Sequence, residues 1–137
     1  MRKRFKVLAM CAVAVASVGL STAPAFADSY SQYQSMVVSI SHQGCFGTID
    51  GMHDDTQGYW VARAAFYTSS SHGCTGALYR KKDGSSTWTE VSYQNFVPDG
   101  TWTRTGYHWD GPGAESKVCV SQYVGDPIGN GACSAPW

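Results

Sequence analysis

The sequence predicts an all-β fold: an immunoglobulin-like sandwich or partly closed barrel of six to seven strands, stapled by two disulfides. Three observations predict it. Apolar and aromatic residues alternate at period two through most of the chain after residue 35. Asp-Gly pairs and prolines punctuate those runs. No stretch of ten or more residues keeps a helical period without Gly or Pro.

The first 27 residues stand apart from that pattern. Arg2, Lys3, Arg4 and Lys6 are followed by an apolar run from Val7 to Leu20, and the segment ends Ala25-Phe26-Ala27. This is the order of a secretory leader, with cleavage before Asp28. The run is shorter than the roughly 20 residues of a membrane-spanning helix, and no second one follows, so no membrane segment is expected. The chain then divides into leader 1–27, a free arm at 28–35 rich in Ser, Tyr and Gln, and a β-domain at 36–137.

Strand candidates follow in order at 36–40, 59–67, 74–80, 87–93, 101–107 and 116–124. In the second, Trp60, Ala62, Ala64 and Phe66 share one face, and Tyr59, Val61, Arg63, Ala65 and Tyr67 the other. β-Branched and aromatic residues fill these runs, as pleated strands favour. Asp50-Gly51, Asp83-Gly84, Asp99-Gly100 and Asp110-Gly111 read as turns, because both residue types tolerate tight-turn backbone. Lys82-Asp83-Gly84-Ser85 is the clearest hairpin among them.

Four cysteines remain after the leader: Cys45, Cys74, Cys119 and Cys133. In an exported chain an even count reads as two disulfides. Cys119 and Cys133 flank Gly125-Asp126-Pro127 as hairpin partners would, which favours Cys119–Cys133 with Cys45–Cys74; Cys45–Cys119 stays open. Neither a Cys-x-x-Cys pair nor a histidine pair suggests a metal, and no cofactor is expected. The order Cys45, Trp60, Cys119 resembles an immunoglobulin-like sandwich, although Lys117 stands where a tyrosine corner would place Tyr.

Without the leader, six basic residues face ten acidic ones, a net charge of −4. Such a surface repels phosphate backbones and argues against nucleic acid as partner. Catalytic motifs are missing: no G-x-S-x-G, no H-E-x-x-H, no phosphate loop. His53-Asp54-Asp55 lacks the alternate carboxylate spacing of a calcium loop and reads as a solvated turn. Glu90, Arg104 and His108 occur in the order used by small secreted guanyl-type ribonucleases, without that family's helix or arginine cluster. The expectation is a non-enzyme.

Aromatic content points to binding. Sixteen of the 110 residues after the leader are Trp, Tyr or Phe, more than a core of this size absorbs. The candidate partner-binding residues are Tyr30, Tyr33 and Met36 on the arm, and Trp102, Arg104, Tyr107 and Trp109 further on. They suit another secreted protein as partner, with the arm free to add to a partner's sheet or fill its groove. Two alternatives use other features. A protease inhibitor would present the loop His72-Gly73-Cys74-Thr75, and a glycan-binding module would use coplanar tryptophans.

Leader, size, paired cysteines and aromatic β-pattern together resemble small secreted proteins of Gram-positive actinomycetes. Among those are inhibitors and the small adaptor subunit of secreted umbrella toxin particles. The resemblance implies an adaptor between a lectin subunit and a toxin stalk, and it assigns no individual residue.

Overall fold

The computed structural model describes residues 28–122, 125 and 127–137. The leader 1–27 and the predicted strand end at Tyr123 and Val124 lie outside the described residues.

In chain order the elements are β1 (Tyr30–His42), β2 (Cys45–Asp54), β3 (Tyr59–Thr68), β4 (Cys74–Lys82), β5 (Thr89–Phe96), β6 (Thr103–Arg104), β7 (His108–Trp109), β8 (Ala114–Ser121), α1 (Pro127–Asn130) and β9 (Ala132–Cys133). They form two antiparallel sheets. The first runs β1-β2-β3, with β6 and β7 both paired to the far edge of β3. The second runs β5-β4-β8-β9. The sheets face each other as an open sandwich, the fold class expected. Six strands are long, and β6, β7 and β9 are two-residue additions.

The core lies between the sheets. Ile49, Ala62, Ala64 and Phe66 from the first meet Leu78, Val118, Val120 and Phe96 from the second. Phe66 and Phe96 stack with centroids 5.3 Å apart. Glycines make room for these side chains. A Cβ on Gly47 would stand 2.8 Å from a Val120 methyl, and one on Gly76 would collide with the Phe66 ring. Gly51 is filled in the same way by the Trp137 indole. Burying Phe66 alone contributes roughly 2–3 kcal/mol.

The two disulfides differ in role. Cys45–Cys74 joins β2 to β4 and so crosses between the sheets inside the core. Cys119–Cys133 joins neighbouring strands β8 and β9, directly opposite one another in register. Cys119 therefore does not pair with Cys45, and Trp60 packs edge-on against Trp137 at a centroid distance of 5.8 Å.

Three expectations need correction. Residues 28–35 do not form a free arm. From Tyr30 onward they belong to β1, and Ser29 and Ser31 are tied to the β2–β3 turn through Thr56 and Asp55. Asp50-Gly51 is no turn but the middle of β2, paired to Arg63 and Ala62. The strand expected at 101–107 shrinks to β6, because the ladder ends at Thr105: its backbone N–H donates to Ala64 O at 2.9 Å, but its hydroxyl, not its carbonyl, accepts the Ala64 N–H at 3.0 Å.

Candidate functional site

The outer face of the first sheet is built in rows. Cross-strand register places Phe46 beside Tyr67, Thr48 beside Ala65, and Asp50 beside Arg63. β6 extends the middle row by setting Arg104 opposite Ala65. Trp102 extends the first row, meeting Phe46 edge-on and Tyr67 at a tilt, each with centroids 5.6 Å apart. Tyr107 extends the third: the Arg63 guanidinium lies 4.8 Å from its ring centroid. One side of the sheet thus carries an aromatic row, a row of small residues ending in Arg104, and a charged row.

β1 turns this face into a groove. Its ladder with β2 is irregular at two places, between Ser31 and Gln34 and between Gln34 and Val38. Gln32 and Met36 sit in those irregularities with φ of 51° and 54°. Positive φ is costly for such residues and persists where the surroundings enforce it. At Met36 the reason is visible. Its backbone N–H leaves the ladder and donates to Asp50 Oδ1 at 3.1 Å. The other carboxylate oxygen takes Arg63 Nε and Nη2, both at 3.2 Å. Asp50 is buried, and its charge is matched on both oxygens, as a buried carboxylate requires.

The resulting groove has a volume of about 210 Å³ and is lined by Tyr33, Ser35, Met36, Thr48, Asp50, Ala65, Trp102 and Arg104. Thr48 and Ala65 make the floor; both are buried. Tyr33, Met36 and Trp102 stand exposed at 53%, 52% and 37%. Burial works against the Arg63 charge, but the Tyr33 hydroxyl, Tyr107 and Asp50 outweigh it and hold the guanidinium above its ordinary value. Burial pushes the Tyr107 phenol up, with Arg63 opposing. Arg104 differs from Arg63: it forms no ion pair among the described residues, and its guanidinium lies 6.0 Å from the Trp102 centroid.

Of the seven predicted binding residues, four converge here: Tyr33, Met36, Trp102 and Arg104. Tyr107 touches the groove through Arg63. Tyr30 does not join it. It pairs with Asp54 at the far end of β1, where its hydroxyl donates to Asp28 at 3.4 Å. Trp109 does not join it either. It lies opposite Val61, edge-on to Tyr59 at 6.3 Å, with Arg80 and Lys82 each 5.4 Å from its ring. The residues missed from sequence are Asp50, Arg63, Thr48 and Phe46. For three of them the signal was alternation along β2, where Phe46, Thr48, Asp50 and Met52 share a face, hidden by Gly47 and Gly51 on the opposite one; Arg63 stood on the Tyr59–Tyr67 face of β3.

Other sequence candidates settle into ordinary places. Asp54 caps the β2–β3 turn by accepting the N–H groups of Thr56 and Gln57, and Asp55 binds Ser31 and His53. Glu90, Arg104 and His108 do not converge. Glu90 is on the second sheet, while Arg104 and His108 pair with Ala65 and Ala62, residues that face opposite sides of β3. Burial, helped by Arg80, pushes His108 below its ordinary value. In the loop suggested for an inhibitor, Cys74 and Thr75 are buried in β4. Among the described residues there is no cluster of metal-ligating side chains, and no helix is long and apolar enough to cross a membrane.

No family model, no curated protein and no solved structure matches this chain.

Proposed function

We propose that this chain is an exported, non-catalytic adaptor module that docks another secreted protein in the groove on the outer face of its first sheet. One observation carries the reading. Of the five large apolar side chains left exposed among the described residues, three (Tyr33, Met36 and Trp102) gather around one groove. Aromatic and Met anchors beside an arginine are the composition of interface centres. Two paired disulfides suit an oxidising compartment, in keeping with the leader read from the sequence.

The proposed occupant is a partner segment that sets an apolar side chain over Thr48 and Ala65 and an acidic one against Arg104. Arg104 brings a positive charge unmatched within the described chain to a domain of net negative charge. An acidic side chain there gains a charge-assisted bond and is steered to this end of the groove. The larger assembly is of the secreted-particle type that the sequence resembles, with this chain as a bridging subunit.

Capture from culture supernatant with the C-terminally tagged protein tests this, run beside Trp102→Ala and Arg104→Glu. The expected result is one secreted protein at fixed stoichiometry, lost with both variants and regained on Arg104→Glu when the partner's contacting acid is changed to Lys. Capture that survives both substitutions would move the interface elsewhere, and elution of the protein alone would reject the adaptor reading.

A further inference from the structure

A second concavity lies at the end of the sandwich, built by different residues from the groove. It has a volume of about 350 Å³ and is lined by Gln34, Trp60, Asp110, Ala114 and Trp137. Small-molecule sites have volumes of about 300–1,000 Å³ and combine aromatic walls with a few placed polar groups. Both criteria are met. The Trp60 and Trp137 indoles stand at 83° to one another, which offers two ring surfaces at right angles.

Asp110 is the fixed polar group. It is only 8% exposed. Oδ1 accepts the Ser116 hydroxyl at 2.7 Å, and its backbone N–H donates to Trp60 O at 2.9 Å. The backbone bond fixes the main chain and the Ser116 bond orients the carboxyl, and no described residue bonds Oδ2. Neither indole N–H is spent on an acceptor among the described residues. The Gln34 amide, on the exposed edge strand, supplies both a donor and an acceptor.

The chemistry of the lining selects a ligand class. An anion would meet Asp110 with no cationic side chain in the lining. A hydrocarbon would bury Asp110 and Gln34 against nothing that bonds them. An ammonium group would use two indoles and a carboxylate as a cage, but it would have to share Asp110 with the Arg80 guanidinium, a like charge that already acts on that carboxylate. What fits is a neutral ligand with apolar ring faces and hydroxyls that both donate and accept.

We infer that the cavity between Trp60 and Trp137 binds one sugar unit of a neutral saccharide, with a ring face on an indole and hydroxyls on Asp110 and Gln34. This site stands independently of the groove and of the adaptor reading.

The test is titration of the protein with maltotriose, cellotriose, chitotriose and xylotriose, read by tryptophan fluorescence and by the indole N–H resonances in NMR. The expected result is saturation by at least one of them, with shifts at Trp60 and Trp137 and none at Trp102. Gln34→Ala, at an exposed position, weakens that binding about fivefold, the worth of one neutral hydrogen bond. Trp102→Ala leaves it unchanged, which separates this site from the groove. Failure of all four sugars to saturate, saturation by tetramethylammonium alone, or undiminished affinity in both Gln34→Ala and Trp60→Phe would overturn the inference.

Discussion

The outer faces of the two sheets both carry aromatic side chains and treat them in opposite ways. On the second sheet, Ala77, Tyr79 and Cys119 are buried beneath Trp88, Tyr93, Ile128 and Cys133. The short helix α1 follows β8 and folds back against β8 and β4, setting Ile128 on this cluster, and β9 joins the sheet as the strand beside β8. Lys117 and Lys81 lie 4.3 Å and 5.1 Å from the Trp88 centroid and shield it further. On the first sheet no described helix or strand folds back over the outer face. Tyr33, Met36 and Trp102 remain in solvent above a floor whose one buried charge is matched internally. The same chain thus covers one aromatic face and leaves the other open, so the open face is not the residue of a domain too small to cover itself. Covering serves stability, and the open face is free to serve contact.

The largest test of that contrast concerns the disulfides. Cys45–Cys74 spans 29 residues and ties the two sheets together; Cys119–Cys133 spans 14 and ties only the covered face. In the chain-entropy account the first contributes about 3.6 kcal/mol and the second about 3.0 kcal/mol. Replacing Cys45 and Cys74 by Ala should cost more than that, since both lie in the core, and should lower the urea midpoint further than Cys119→Ala with Cys133→Ala. Equal losses would mean that the sheets are held by packing alone.

Next in size is Asp50. Asp50→Ala removes the acceptor of both Arg63 and the Met36 N–H, leaving a half-buried guanidinium unmatched. The expected cost is about 2 kcal/mol, with loss of the Met36 backbone conformation and of groove binding. Asp50→Asn keeps the Met36 bond and should cost less. A variant Asp50→Ala that is stable and still binds would show that the bulge at Met36 does not depend on the carboxylate.

Tryptophans on the two faces sharpen the contrast further. Trp88→Ala uncovers Tyr79 and should cost about 1–3 kcal/mol, as lost burial of a partly buried aromatic does. Trp102→Ala should change stability by less than about 0.5 kcal/mol, typical of an exposed position, and abolish partner capture. Thermal melts of both variants beside the capture assay separate the two roles.

These contrasts also show where the sequence could be read and where it could not. β3, β4 and β8 were legible because period-two alternation survives along each, even past Gly76 in β4. β2 was not. Its inward positions include Gly47 and Gly51, which exist to admit Val118, Val120 and Trp137 from elsewhere in the chain. A small residue chosen for a distant partner looks locally like a turn signal, and Asp50-Gly51 was read as one. The groove suffered the same way. Its exposed anchors were legible as an excess of aromatics, while Asp50, which holds them in place, acts only through a strand pairing that local pattern does not display. Tyr30 and Trp109 were grouped with the anchors by proximity in sequence, and the register sends them to other ends of the strands.

The smallest predicted effect is a pH dependence at Asp110, in the end cavity. Burial raises the Asp110 carboxyl above its ordinary value, against the opposing pull of Ser116 and Arg80. The folded protein therefore holds this proton more tightly than the unfolded chain does. Between the ordinary carboxyl value of 3.8 and the raised value, the native state binds more protons, so stability falls as pH rises through that window. Asp55 and Asp99, lowered chiefly by hydrogen bonds from Ser31 and Thr101, act in the opposite sense and lose their contribution as pH falls. The two trends overlap in the wild type. Asp110→Asn isolates one of them, since Asn keeps an oxygen for the Ser116 hydroxyl and cannot ionise. The melting temperature of wild type minus that of the variant should decline as pH rises from the ordinary carboxyl value toward neutrality. A difference that is flat with pH, or that grows, would mean that Arg80 and Ser116 together offset the cost of burying that charge.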